Sequence, residues 1–189
     1  MRDLQLTILL HSNLCHIYSA WDILKPNSEC LAAALNGKLD ELAVEGRAIR
    51  ETLNNWKTNF EEWIEAGSTP LLTSQSLLAT VYFHAISIYL SGIFDYRPQF
   101  NHINAPRLSQ CVVQSHVDSI ISTGLMTLRT TNLGGILLFF PLRVAGSRVT
   151  SRQEAETIIQ MLNEISKRSF VVADAFVTDL EDLWQGKGI

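Results

Sequence analysis

The chain has 189 residues, 47% of them hydrophobic and 18% charged, with a formal net charge of -4. That is enough for one ordinary domain with a substantial core, and too apolar for a disordered segment. An acidic balance without a Lys/Arg run excludes the electrostatic grip that direct nucleic-acid binding or an acidic lipid surface needs.

Helical periodicity dominates the chain, and no alternating strand pattern competes with it. A first helix is expected over residues 4–24, stopping before Pro26, which cannot continue it. After a Pro-Asn-Ser turn, Leu39, Leu42, Ile49, Leu53, Trp56, Phe60 and Trp63 follow a three-four spacing interrupted only by Gly46. They predict one long amphipathic helix with Glu45, Arg47, Arg50, Glu51, Lys57 and Glu61 on its other sides. Gly67-Ser68-Thr69-Pro70 ends it and opens a third helix within residues 71–94, which contain no charged side chain. This stretch is long enough to cross a bilayer, but its Ser, Thr, Gln and His content and the lack of flanking basic clusters predict a buried core helix, with no membrane span. Asn104 reads as the N-cap of a helix over residues 105–128 with Pro106 in its first turn. TNLGGILLFFPLRVAG is again almost wholly apolar, with Pro141 placed to kink or break it. Ser151-Arg152-Gln153-Glu154 has the form of a capping box. It opens a helix whose apolar face runs Ile158, Leu162, Ile165, Val172, Phe176, Leu180, Leu183, ending near Gly186. The prediction is a single all-α domain over residues 1–189, a bundle of about six helices with the nearly all-apolar third and fifth at its centre.

Cys15, Cys30 and Cys111 are odd in number and widely spaced, and MRDLQLTILLHSNLCHIY lacks a secretory cleavage pattern. They read as reduced, intracellular residues rather than a disulfide framework. Cys15 and Cys111 have no nucleophile context and are expected to be small buried residues.

LLTSQSLLATVYFHAISIYLSGIFDY, TNLGGILLFFPLRVAGSR and EISKRSFVVADAFVTDLEDLW, in that order, resemble the carboxy-terminal part of the fungal-specific transcription factor domain. That domain is the helical regulatory half of fungal zinc-cluster regulators. The FDY at Phe94 to Tyr96, PLRVAG from Pro141 to Gly146 and the DLxxLW pattern ending at Trp184 carry most of the resemblance, with WKTNFEEW from Trp56 adding to it. It implies a helical fold more than an activity. The zinc-cluster segment of such regulators, with its closely spaced cysteines and basic stretch, has no counterpart here, so the expectation is a chain that does not read DNA. The surface that the missing part of a regulator would cover is expected to be closed by a homodimer or an apolar ligand.

His84 is the first candidate for chemistry. A histidine in an uncharged helix can act as a general acid or base, donate to a ligand carbonyl, or sit buried against a neighbour's backbone. Ser76, Thr80, Ser87 and Ser91 share its face at three-four spacing, letting helices approach or leaving room for a guest. Tyr82 and Tyr89, seven residues apart, share another face and carry phenols that can donate to a carbonyl. Arg143, a fixed charge in an apolar run, is expected either to pair with Asp95 or Asp174 or to polarise a substrate carbonyl. Trp56 and Phe60, with Trp63, read as core or interface aromatics or as a substrate platform. His11 lies four residues before Cys15, but two ligands without a third do not make a metal site, so no metal is predicted. No phosphate loop, dinucleotide fingerprint or serine elbow is present, so no cofactor is expected.

Two functions follow as expectations. The first is a stand-alone protein of fungal specialised metabolism that binds an apolar small molecule, most concretely a cofactor-independent cyclase or isomerase closing a polyene or terpenoid in Diels-Alder fashion. It would use His84, Tyr82 and Arg143 as catalytic donors and His11, Tyr89, Ser87, Trp56 and Phe60 as substrate contacts. The second is an effector-binding or dimerising regulatory module without DNA binding of its own.

Overall fold

The computed structural model describes residues 29–67, 73–130, 134–168 and 170–189; the first expected helix, and His11 with it, lies outside them. The fold is all-α: seven α-helices and no strand among the described residues. They are α1 (Glu29–Glu65), α2 (Ser74–Asp95), α3 (Gln110–Thr130), α4 (Gly134–Leu137), α5 (Phe139–Gly146), α6 (Arg152–Lys167) and α7 (Val172–Lys187), with a 3-10 turn at Pro98–Phe100. The chain divides into two compact units, Met1–Asn55 with Leu90–Arg107, and Trp56–Tyr89 with Leu108–Ile189.

In the first unit, the apolar stripe of α1 is buried as its spacing predicts, through Leu39, Leu42, Ala43, Ile49 and Leu53. Gly46 does not break the helix. A side chain there would stand 2.5 Å from the Phe94 ring and 3.0 Å from Pro106, so the bare backbone is what admits both. Phe94 in turn packs edge-on against Phe100, with ring centroids 4.9 Å apart. The segment after Phe100 is strapped to α1 from below: Arg47 donates to the Asn104 carbonyl, and Arg50 to that of Pro106 at 3.2 Å. Burial lowers Arg50 to a pKa of about 10 against the pull of Asp95, and it stays charged at neutral pH.

The helix expected from residue 105 starts at Gln110. Pro106 steers the preceding residue away from the helical region, and the chain instead makes two tight turns, Ala105 N–H to Ile103 O and Arg107 N–H to Ala105 O, each 2.8 Å. The Ser109 carbonyl takes the first helical bond, from Val113 N–H at 3.0 Å. Cys111, expected to be buried, falls in the first turn and is exposed.

The second unit holds the large core: Val81, Ala85 and Ile88 of α2 meet Val113, Val117 and Ile120 of α3, with Leu142, Ile158, Leu162 and Leu180 among their neighbours. α2 is the one helix among the described residues long and apolar enough to cross a membrane, and the larger part of it is buried inside the protein. The fifth expected helix is two. The break at Leu138 lies three residues before Pro141, whose ring and missing N–H forbid the helical bond back to residue 137. The final expected helix is also two, separated between Lys167 and Val172. There the β-branched pair Val171-Val172 favours helix weakly, and Phe170 turns back onto Gly135, where an added side chain would lie 3.3 Å from it. The antiparallel return lets α7 close the core: Leu180 fills the space left by Gly146, and the buried Trp184 indole N–H donates to the Gly146 carbonyl at 2.8 Å. PLRVAG and DLEDLW, two segments behind the family resemblance, thus pack on each other. The left-handed glycine that ends α7 is Gly188 (φ 73°), not Gly186.

The capping box is present as expected. Ser151 Oγ accepts the Glu154 N–H at 3.3 Å, and the Glu154 carboxylate accepts the N–H groups of Thr150 and Ser151, each at 3.0 Å. Gln114 of α3 donates to the other carboxylate oxygen, fixing the start of α6 to α3.

Candidate functional site

The stripe on α2 resolves residue by residue. Ser76 and Thr80 return their hydroxyls to carbonyls of their own helix turn, Thr73 O and Ser76 O, both at 2.9 Å, and Ser91 donates to Asp95 Oδ2 at 3.0 Å. Ser76, Ser87 and Ser91 are buried. Their small side chains serve close packing, with hydroxyls satisfied locally where the bonds are seen.

His84 differs from all of them. Its Nδ1 lies 2.7 Å from Nδ1 of His116 on α3, a hydrogen bond between two imidazoles, with ring centroids 5.0 Å apart. Both rings are half-buried, and the edge of Phe83 faces both, at 5.2 and 6.0 Å. Phe83 continues an aromatic wall built by the end of α1: Trp56 stacks on it at 6.2 Å and on Phe60 at 5.0 Å, and Phe60 meets Trp63 at 6.1 Å. The i,i+4 spacing of Trp56 and Phe60 puts them one above the other on a helix face. Trp63 at the end of the wall is 46% exposed. Lys57, paired with Glu61, stands 5.6 Å from the Phe83 centroid.

These neighbours set the protonation state. Burial first, then the His116 ring and the Lys57 ammonium, push His84 down to a pKa of about 4, with Glu61 opposing weakly. At neutral pH the imidazole is uncharged, a donor or acceptor of hydrogen bonds rather than a cation. His116 was not singled out in the sequence. The available signal was its position: one residue before buried Val117 and three after buried Val113, it sits on the border of the apolar face of α3.

The remaining candidates lie elsewhere. Tyr82 and Tyr89 do share a face, and both turn to Phe140 of α5, at 6.0 and 5.7 Å. Burial raises the Tyr82 phenol above its ordinary pKa, keeping it a donor. Arg143 pairs with neither Asp95 nor Asp174. Its partner is Asp179 of α7, both side chains are more than half exposed, and its guanidinium stands 5.9 Å from the Phe176 ring. An exposed helix position, not an apolar pocket, explains how the apolar run tolerates this charge. No cluster of three or more His, Cys, Asp or Glu suited to a metal occurs among the described residues.

Two open clefts occur in the second unit. One of about 240 Å³ is bounded by Leu125, Leu128, Arg129, Met161, Glu164 and Arg168. The other, about 430 Å³, is bounded by Arg152, Glu156, Ile159, Glu181, Trp184 and Ile189. Neither includes His84, Tyr82, Tyr89, Ser87, Trp56, Phe60 or Arg143. Comparison with protein-family models, with curated proteins and with solved structures finds no match.

Proposed function

We propose that the protein binds an apolar small molecule bearing one polar group, laid against the Trp56–Phe60–Phe83 wall with that group hydrogen-bonded to the His84–His116 pair. The observation that carries the reading is the half-buried imidazole pair, with His84 uncharged, at the foot of an aromatic surface. Apolar sites with a few placed polar groups are the common form of small-molecule recognition. A neutral ring donates to a carbonyl without the cost of desolvating a charge. A terpenoid or polyene of fungal specialised metabolism has this chemistry, and its cyclisation is the most specific form of the proposal. A cyclase further requires surroundings that envelop the reactive conformer. The two clefts of the second unit are open and lie away from His84, so binding is the part the geometry supports best.

The test is titration of the 15N-labelled chain with citral, a terpenoid aldehyde of this description. Saturable shifts at His84, His116 and the Trp56 indole that vanish in His84→Ala support the reading. A spectrum unmoved at the aldehyde's solubility limit rejects it.

The alternative, a dimerising regulatory module, is favoured by a different observation. Ile136, Leu137 and Phe140 are exposed along α4 and α5, and Phe140 lies against Tyr82 and Tyr89. A second copy of the chain would cover such a patch. Sedimentation equilibrium of the wild type against Ile136→Glu distinguishes the two, a dimer dissociated by the substitution supporting the module.

A further inference from the structure

Arg47, Arg50, Arg97 and Arg107 lie apart in the sequence, which is why no basic run appears there. The first unit brings their stretches together through a series of bonds. Arg47 of α1 donates to the Asn104 carbonyl, and Arg50, three residues on, to the Pro106 carbonyl at 3.2 Å. Arg107 follows Pro106, and its Nη2 donates to Asn101 Oδ1 at 3.3 Å. The Asn101 N–H in turn donates to the carbonyl of Pro98, the residue after Arg97, at 3.0 Å. Four guanidinium groups thus border one loop. Residues 47–51 and 95–107 carry two carboxylates against these four cations, Glu51 and Asp95, which leaves a surplus of two positive charges in a chain whose net charge is -4. The bonds just described end on neutral oxygens, so they place the guanidinium groups without cancelling their charge. Arginine stays protonated at neutral pH, Arg50 included at its lowered pKa of about 10. A guanidinium has five N–H donors, and Arg47 and Arg107 each use one of them in these bonds. The Arg107 Nε is buried without a hydrogen-bond partner among the described residues, a cost that an oxygen acceptor would relieve.

We propose that the loop from Arg97 to Arg107, with Arg47 and Arg50 of α1, is a binding site for a soluble phosphate monoester. The inference concerns the first unit and does not rest on the binding reading above. A planar guanidinium presents parallel N–H groups that fit two oxygens of a phosphate. A monoester dianion matches the surplus of two charges. A carboxylate or a phosphate diester carries one charge and matches half of it, so a nucleic-acid backbone and a diester phospholipid are poorer ligands. The exposed residues after Arg97 are Pro98, Gln99, Asn101, His102 and Asn104. They lack the large apolar side chains that enter a bilayer, which favours a ligand in solution over a lipid headgroup.

The experiment titrates the full 15N-labelled chain with phenyl phosphate at neutral pH, with benzoate and with vesicles containing phosphatidate in parallel. Saturable shifts of the Asn101, Ile103 and Arg107 amides are expected with phenyl phosphate, and much weaker ones with benzoate. Arg47→Gln and Arg107→Gln are each expected to raise Kd about 10-fold with circular dichroism intact. Arg152→Gln, which removes the same charge from an exposed position in the second unit, is expected to leave Kd unchanged. Affinity should fall as the pH drops through about 6, where the monoester loses its second charge. Should a Gln variant lose its helical signal, Arg107→Lys, which keeps the charge and removes the fork, is expected to weaken binding in a folded chain. Amides unmoved by phenyl phosphate overturn the site. Benzoate binding as tightly as phenyl phosphate overturns the dianion match, and binding to the vesicles alone overturns the soluble ligand. An effect of Arg152→Gln equal to that of Arg107→Gln reduces the binding to general attraction and overturns the site as well.

Discussion

Gln114 and His116 sit two residues apart on α3 and make the helix's two polar contacts of most consequence, and they differ in kind. Gln114 joins a carboxylate that already accepts two backbone N–H groups at the start of α6, a closed set in which each group has its partner. His116 meets another imidazole, that of His84 on α2, Nδ1 to Nδ1. The first contact fastens two helices. The second joins two half-buried rings, and burial holds one of them, His84, uncharged at neutral pH. A titratable group whose protonation the fold perturbs is the better guide to function.

Breaking α3 removes both contacts. Val117, the residue after His116, is fully buried, and Val117→Asp is expected to cost about 4 kcal/mol by burying an unpaired carboxylate, read by urea unfolding. Glu154→Ala strands two backbone donors and Gln114 and is expected to cost about 2 kcal/mol, with the His84–His116 resonances unmoved. Ser151→Ala removes only its half of the capping box and should cost about 1 kcal/mol. The imidazole pair contributes least and differently. Because the folded pKa of His84 is depressed from 6.5 to about 4, the unfolded chain binds the extra proton between those values. Stability is therefore complete above 6.5, declines as the pH falls toward 4 and levels below it. With the ring only half shielded the decline is about 1 kcal/mol at most, and His84→Gln should flatten it while leaving the Glu154 contact unchanged.

The same contrast governs what the sequence disclosed. The capping box was legible because four consecutive residues contain it, and the stripe of α1 because its period is local. The stacked Trp56–Phe60 pair follows from i,i+4 spacing alone. The break between α6 and α7 was hidden because Ile165 and Val172 lie seven residues apart and keep the helical phase across it. The distant Gly135, which receives Phe170, adds the reason that local pattern does not show. The late start of α3 was present in Pro106, whose effect falls on the residue before it. His84 stood out in an uncharged helix. Its partner did not, because nothing within α3 says that the border position of His116 faces a ring rather than water. Arg143 differs for the opposite reason: its neighbours in sequence are apolar, but the helix turns its guanidinium outward to Asp179.

The Trp184 indole that closes on Gly146 also sets an order of events during synthesis. The core it completes begins with Val81 on α2, so a growing chain exposes these apolar faces until more than a hundred later residues, to Trp184, have been made. Contacts this far apart in sequence form slowly, and the unfinished faces are open to aggregation meanwhile. A nascent chain is therefore a client for a chaperone until Trp184 has emerged and docked.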